Sequence, residues 1–218
     1  MCQLLETLKI ENCQIHNVEF HIERVLQSRK ILFGNKDIKD FELTLWKINK
    51  EIESNFKFSS IHKLRIIYDK SINTVEITPY IKREIKLFKL VEIGDYDYSL
   101  KYSDRKYFEK IQEENFNEFI KNNHTKIEKS NFELIFTKNQ IITDTTFSNL
   151  VFSLNGIYFT PKNPLLEGTK RKFYLKNKII LEQEIQVNDL NKFDKFCIIN
   201  SMNDLDFSNE YKISQIID

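Results

Sequence analysis

The amino-acid sequence predicts a two-part α+β protein. Segments whose apolar residues recur at helical spacing alternate with runs rich in β-branched and aromatic residues, and both patterns break near residue 95. With 218 residues the chain has the length of one large domain or two small ones, and such a chain can bury roughly 70% of its unfolded surface. A sizeable core is therefore available to it.

Residues 4–10, LLETLKI, alternate loosely enough to predict a strand with one buried face. In NVEFHIERVLQSRKILFG the residues Val18, Ile22, Val25, Leu26 and Ile31 recur at helical spacing. Asn17 is of a type that caps a helix start, and Gly34 supplies a left-handed stop. DFELTLWKINKEI predicts a second helix, whereas HKLRIIYD, NTVEITPY and EIKLFKLVEI predict strands, since branched side chains suit a pleated sheet. GDYDYS, residues 94–99, then interrupts the periodicity with a glycine and two aspartates. It predicts a boundary between a small N-terminal α+β domain, residues 1–95, and a larger β-rich domain, residues 96–218.

Past that boundary, SDRKYFEKIQEENFNEFIKNN opens with the capping types Ser103 and Asp104 and carries Phe108, Ile111 and Phe119 on one side, which predicts an amphipathic helix. Lys101 stands just ahead of it. FELIFT, NLVFSL and IYFT predict strands, and Asn155-Gly156 between the last two favours the left-handed turn that closes a hairpin. LLEGTKRKFYL ends a loop at Gly168 and opens a short helix, and KFCIINSM predicts a late buried strand running into Asn200 and Ser201.

Charge bounds the function. The formal net charge is only +1, so no long-range field gathers nucleic acid or anionic lipid. No apolar run is long enough for a membrane span. Cys2, Cys13 and Cys197 are too scattered for a disulfide framework or a metal site, and His16, His21, His62 and His124 lack the close pairing of zinc ligands. No metal is expected, and a reducing cytoplasm is the expected home. IITDTTFSNLVF raises a sharper question, because Asp144 stands at the threshold of an apolar strand. A carboxylate withdrawn from water is costly unless donors or a positive charge meet it, so Asp144 either caps a turn or serves a cationic partner.

Arg24 in the first helix, Lys101, Asp144 and Gly168-Thr169 at a helix start each have an ordinary reading alone: a solvated arginine, one lysine among many, a turn cap, a loop-to-helix junction. Taken in order, within ETLKI, HIERVLQSRKILFG, LKYSDRKYF, ITDTTFSNLVFSLNGIYFTPKNPLLEGTKR and FCIINSM, the chain resembles the fold-type IV pyridoxal-phosphate enzymes. These are the class IV aminotransferases and aminodeoxychorismate lyase. The resemblance spans nearly the whole chain. It implies a small N-terminal α/β sandwich, a larger C-terminal β-rich pseudo-barrel domain, pyridoxal 5'-phosphate in the cleft between them, and a homodimer.

The resemblance also implies roles. Lys101 matches the catalytic lysine that carries the cofactor and, once freed, moves protons at the reacting carbon. Asp144 matches the carboxylate that keeps the cofactor's ring nitrogen protonated and so maintains the electron sink. Arg24 matches a phosphate-binding guanidinium, while Gly168, Thr169 and Lys170 match a helix start that offers backbone N–H groups to the same phosphate. Leu166 matches the residue against the ring face, and Ser201 one near the phosphate. Most relatives carry Glu where this chain has Asp144, and their Pro-Gly-Ile-Thr is replaced by Glu167-Gly168-Thr169-Lys170, which puts an ammonium beside the phosphate site. Their glycine- and arginine-rich substrate loop is replaced by YDKSINTVEITPY, leaving Arg65, Tyr80 and Arg83 as candidate substrate-binding residues. The expected reaction is that of 4-amino-4-deoxychorismate lyase, releasing pyruvate and p-aminobenzoate for folate biosynthesis. The alternatives are a branched-chain or D-amino-acid aminotransferase and a non-catalytic binding subunit of the same fold.

Overall fold

The computed structural model describes residues 2–34, 37–53, 55–206 and 210–217. They form two compact units, one made of Met1–Ile81 with Leu100–Ser103, the other of Lys82–Ser99 with Asp104–Asp218.

In the first unit the chain runs through β1 (Leu4–Glu11), β2 (Gln14–Ile15), α1 (Val18–Phe33), α2 (Lys39–Glu53), β3 (His62–Tyr68) and β4 (Ile72–Pro79). The strands pair antiparallel in the order β2-β1-β3-β4. Strand alternation puts Leu4, Leu8 and Ile10 of β1 and Leu64, Ile66 and Tyr68 of β3 into one core with Val25 of α1 and Phe41, Leu45, Ile48 and Ile52 of α2. Gly34 supplies the stop to α1 in a left-handed conformation, φ 62°, with its N–H on the Lys30 carbonyl at 3.1 Å. Asn17 caps differently from the expectation. It is itself left-handed, φ 54°, and its side chain makes no cap hydrogen bond.

The second unit contains β5 (Leu87–Glu92), α3 (Lys106–Asn123), β6 (Phe132–Lys138), β7 (Ile141–Thr145), β8 (Asn149–Leu154), β9 (Ile157–Pro161), α4 (Thr169–Lys176), β10 (Leu181–Gln183), β11 (Lys195–Ile199), β12 (Tyr211–Lys212) and β13 (Ile216–Ile217). Among the described residues its main sheet runs β10-β9-β8-β7-β6-β5-β13, with β11 paired to β8 and β12 to β11. β8 has a core on each face. Leu150 and Phe152 pack with Phe88, Ile135 and Phe196, while Val151 packs with Tyr174 of α4. The turn between β8 and β9 has Asn155 at φ 51° and Gly156 at φ 77°, the left-handed pair that its sequence demands.

The division between units falls after Ile81 and not near residue 95. β5 pairs in parallel with β6, Leu87 opposite Phe132, so the strand assigned from sequence to the N-terminal half belongs to the second unit. Residues 100–103 then return to the first unit: the Leu5 N–H donates to the Lys101 carbonyl and the Ser103 N–H to the Gln3 carbonyl, each at 2.9 Å. Lys101 is thus mounted on the backbone of β1. The helix that follows begins at Lys106, with Arg105 at its cap and Asp104 accepting the Lys106 N–H at 3.0 Å. Among the described residues no helix is long and apolar enough to cross a membrane, and no cluster of His, Cys, Asp and Glu could hold a metal ion.

Candidate active site

In each unit a buried polar constellation contains residues singled out from the sequence. In the first, Glu6 lies between Leu4 and Leu8 on the core-facing side of β1 and is fully buried. α1 meets it with two residues one turn apart. Arg24 donates Nε to Oε1 at 2.8 Å and Nη2 to Oε2 at 2.5 Å, and His21 Nδ1 lies 2.5 Å from Oε2. Burial alone would push the Glu6 carboxyl up, but the charge of Arg24 and the hydrogen bonds from His21 and Arg24 outweigh it and hold the group down at about 2. His21 is pushed down as well, which for a base favours the neutral form. Burial lowers it, the hydrogen bond to Glu6 opposes this, and the charges of Arg24 and Lys101 add to the lowering. The cluster is therefore an ionised Glu6–Arg24 pair with a neutral imidazole, and Lys101 lies close enough for its charge to act on that imidazole.

In the second unit the tight turn at 145–148 brings Asp144 of β7 directly opposite Asn149 of β8. Asp144 is only 5% exposed. It sits inside β7, not at the entrance of the next strand as the sequence suggested. Its Oδ1 accepts Asn149 Nδ2 at 2.8 Å and its Oδ2 accepts the Leu166 N–H at 2.8 Å. Burial pushes the carboxyl up to about 7, because these neutral donors and the charge of Arg171 offset only part of the desolvation. Arg171 itself pairs with Glu182 at 2.6 Å and donates to the Pro161 carbonyl at 2.9 Å.

Leu166, Gly168 and Thr169 follow along the loop into α4, with Gly168 at its N-cap. Thr169 Oγ1 lies 3.2 Å from Ser201 Oγ, both buried, so two hydroxyls stand together at the helix start. Gly168 is needed for a reason other than close approach to a ligand: a Cβ there would lie 2.0 Å from Asn149 Oδ1. The Lys170 ammonium pairs with Asp204 and lies 5.9 Å from the ring centres of Phe173 and Tyr174.

Of the candidate substrate residues, Arg65 and Tyr80 belong to the first unit and Arg83 to the second. Arg65 pairs across strands with Glu76 at 3.6 Å, and the Tyr80 N–H donates to the Ile61 carbonyl at 3.0 Å. In the other unit Arg83 donates to the Ser130 and Phe132 carbonyls and reaches Glu133 at 3.3 Å.

Glu6, His21, Asn149 and Arg171 were not picked out by sequence reasoning. A signal for the first two exists: Glu6 interrupts the apolar even positions Leu4, Leu8 and Ile10 of a strand, and His21 precedes Arg24 by three residues on a helix. Nothing local marks Asn149, whose partners are 5 and 17 residues away.

Comparison with known proteins identifies the family and the fold. The family model for class IV amino-transferases matches residues 3–205. An uncharacterized protein of Haemophilus influenzae is 31% identical over 206 residues, covering 94% of this chain and 100% of its own. A crystal structure of a Haemophilus somnus protein, provisionally named a 4-amino-4-deoxychorismate lyase, superposes with a TM-score of 0.76 at 28% identity, covering 94% of this chain and 98% of the other. A hypothetical aminotransferase of Mycobacterium tuberculosis in its PLP-bound form shares the fold with a TM-score of 0.71 at 15% identity, covering 98% of this chain and 81% of its own.

Proposed function

The chain belongs to the class IV aminotransferases, fold-type IV enzymes that use pyridoxal 5'-phosphate, and we propose that within them it is a 4-amino-4-deoxychorismate lyase. The observation that supports the lyase reading is the end-to-end likeness to the Haemophilus somnus protein of that provisional name.

The residues fit the cofactor. Asp144 is a buried acid short of positive charge, and a protonated ring nitrogen beside it would supply that charge. Arg24, with its Nε and one edge of the guanidinium fixed on Glu6, gives a preorganised cationic donor for the phosphate. Thr169, Ser201 and the first N–H groups of α4 are the second set of donors. Leu166, tethered to Asp144 through its backbone N–H, would line the site of the ring in this reading. When bound, pyridoxal phosphate would accept electron density from the substrate carbon that bears the amine.

Lys101, the group that carries the cofactor, takes the proton from the amine-bearing ring carbon of the substrate. The electron pair left behind makes the ring aromatic as the bond to the enolpyruvyl oxygen breaks. Pyruvate leaves after the enol takes up a proton, and p-aminobenzoate remains. The same reading makes the enzyme a cytoplasmic homodimer.

A lyase returns to its starting form each cycle and needs no amino acceptor. The purified protein is expected to release pyruvate and p-aminobenzoate steadily from aminodeoxychorismate without any keto acid. Keto-acid-dependent turnover of a branched-chain or D-amino acid, with aminodeoxychorismate untouched, would assign the chain to the aminotransferases instead.

A further inference from the structure

We propose that Asn149 is a positioning residue for the cofactor: it ties the Asp144 carboxyl to the loop that opens α4, so that the acid and the helix start are presented as one rigid piece. The inference rests on the assignment of Asp144 to the cofactor's ring nitrogen and adds a residue to it. β7 and β8 are paired only at Asp144 and Asn149. The turn holding them there is closed by the Thr145 N–H on the Ser148 carbonyl at 2.9 Å and by the Ser148 N–H on Thr145 Oγ1 at 3.0 Å.

From this position both hydrogens of the Asn149 amide are used. One goes to Asp144 Oδ1 at 2.8 Å, the other to the Leu166 carbonyl at 2.9 Å. Leu166 closes the ring by donating its own N–H to Asp144 Oδ2 at 2.8 Å. The amide oxygen fills the space over Gly168 that a Cβ would occupy. A buried amide with both hydrogens used in this way holds its neighbours in one arrangement.

The residue type follows from the charge requirement. A lysine or arginine at 149 would neutralise Asp144 and compete with a protonated ring nitrogen, an aspartate would set a second carboxylate against the first, and an aliphatic side chain would leave the Leu166 carbonyl without its donor. The amide orients the acid and offsets only part of its desolvation. The high protonation range of Asp144, about 7, agrees with an acid held ready for more positive charge than Arg171 supplies.

The test uses the full chain, titrated with pyridoxal phosphate and followed by the absorption band of the bound cofactor, together with the unfolding temperature of the cofactor-free protein. Asn149→Ala is expected to weaken cofactor affinity about tenfold, the loss of one buried hydrogen bond to a charged group, and to shift the absorption band in the same direction as Asp144→Asn. Gly168→Ala should weaken affinity more, and Asn149→Ala combined with Gly168→Ala should recover part of that loss, because the clashing oxygen is gone. Asn149→Ser, which keeps one short donor, carries the same test if the alanine variant does not fold. If the Asn149 variants lower only the unfolding temperature and leave affinity and band native, while Asp144→Asn shifts the band, the proposal fails and the role of Asp144 stands. If Asp144→Asn is itself spectrally silent, the role of Asp144 fails and the proposal with it.

Discussion

Two buried acids occupy opposite electrostatic states in this chain, and the difference lies in what each side chain meets. Glu6 meets a guanidinium and stays ionised; Asp144 meets an amide and a backbone N–H and is pushed up to about 7. The folded value of Asp144 lies above its ordinary 3.8, so the folded protein favours the neutral form. Its contribution to stability is full below pH 3.8 and is lost as the pH rises through 7. About three pKa units correspond to about 4 kcal/mol as an order of magnitude. In denaturant unfolding of the cofactor-free protein, the native chain should therefore lose stability relative to Asp144→Asn between pH 4 and pH 8. Curves that stay parallel across that range would mean that Asp144 is compensated by a charge within the chain.

At the scale of elements, α1 and β1 are joined by a charged pair inside an apolar core. A buried pair is weak support for stability when intact but costly to break, since the surviving charge is left without a partner. Glu6→Ala should destabilise the chain by about 3–5 kcal/mol, and Glu6→Ala with Arg24→Leu should recover part of this, as read by denaturant midpoints at constant slope. A double variant no better than the single one would locate the damage in packing and not in charge. Both elements were legible in the sequence, α1 from its spacing and its Gly34 stop, β1 from alternation. The pair between them was not, because the period-2 pattern treats Glu6 as one polar residue among several, and only the face it shares with Leu4 and Leu8 reveals the burial. The β8–β9 hairpin was legible for a local reason, as Asn155 and Gly156 carry their turn geometry with them. Asp144 was half legible: the need for compensation could be read from its apolar surroundings, but its place within β7 depends on pairing with Asn149 across a turn.

The whole molecule has separate hydrophobic cores, one in the first unit around Leu8, Leu64 and Ile66, others in the second around Phe88, Phe152 and Phe196 and around Val151 and Tyr174. The two-part character showed in the sequence as a change of pattern. The division after Ile81 did not, because it is set by the parallel pairing of β5 with a strand about 45 residues later, a long-range choice that no local signal encodes. The return of residues 100–103 to β1 is of the same kind, and it is what mounts Lys101 in the first unit. Separate cores predict separable local stability. Leu64 is fully buried, so Leu64→Ala should remove about 2–5 kcal/mol by leaving a cavity in the first core. In native-state hydrogen exchange the amides of β1, β3 and β4 should then lose protection strongly, along with those of Lys101 and Tyr102 at the β1 edge, while the amides of β6, β7 and β8 keep theirs. Equal loss of protection in both sets would mean that the chain opens in a single cooperative step, and that the lysine mount and the Asp144 constellation share one stability.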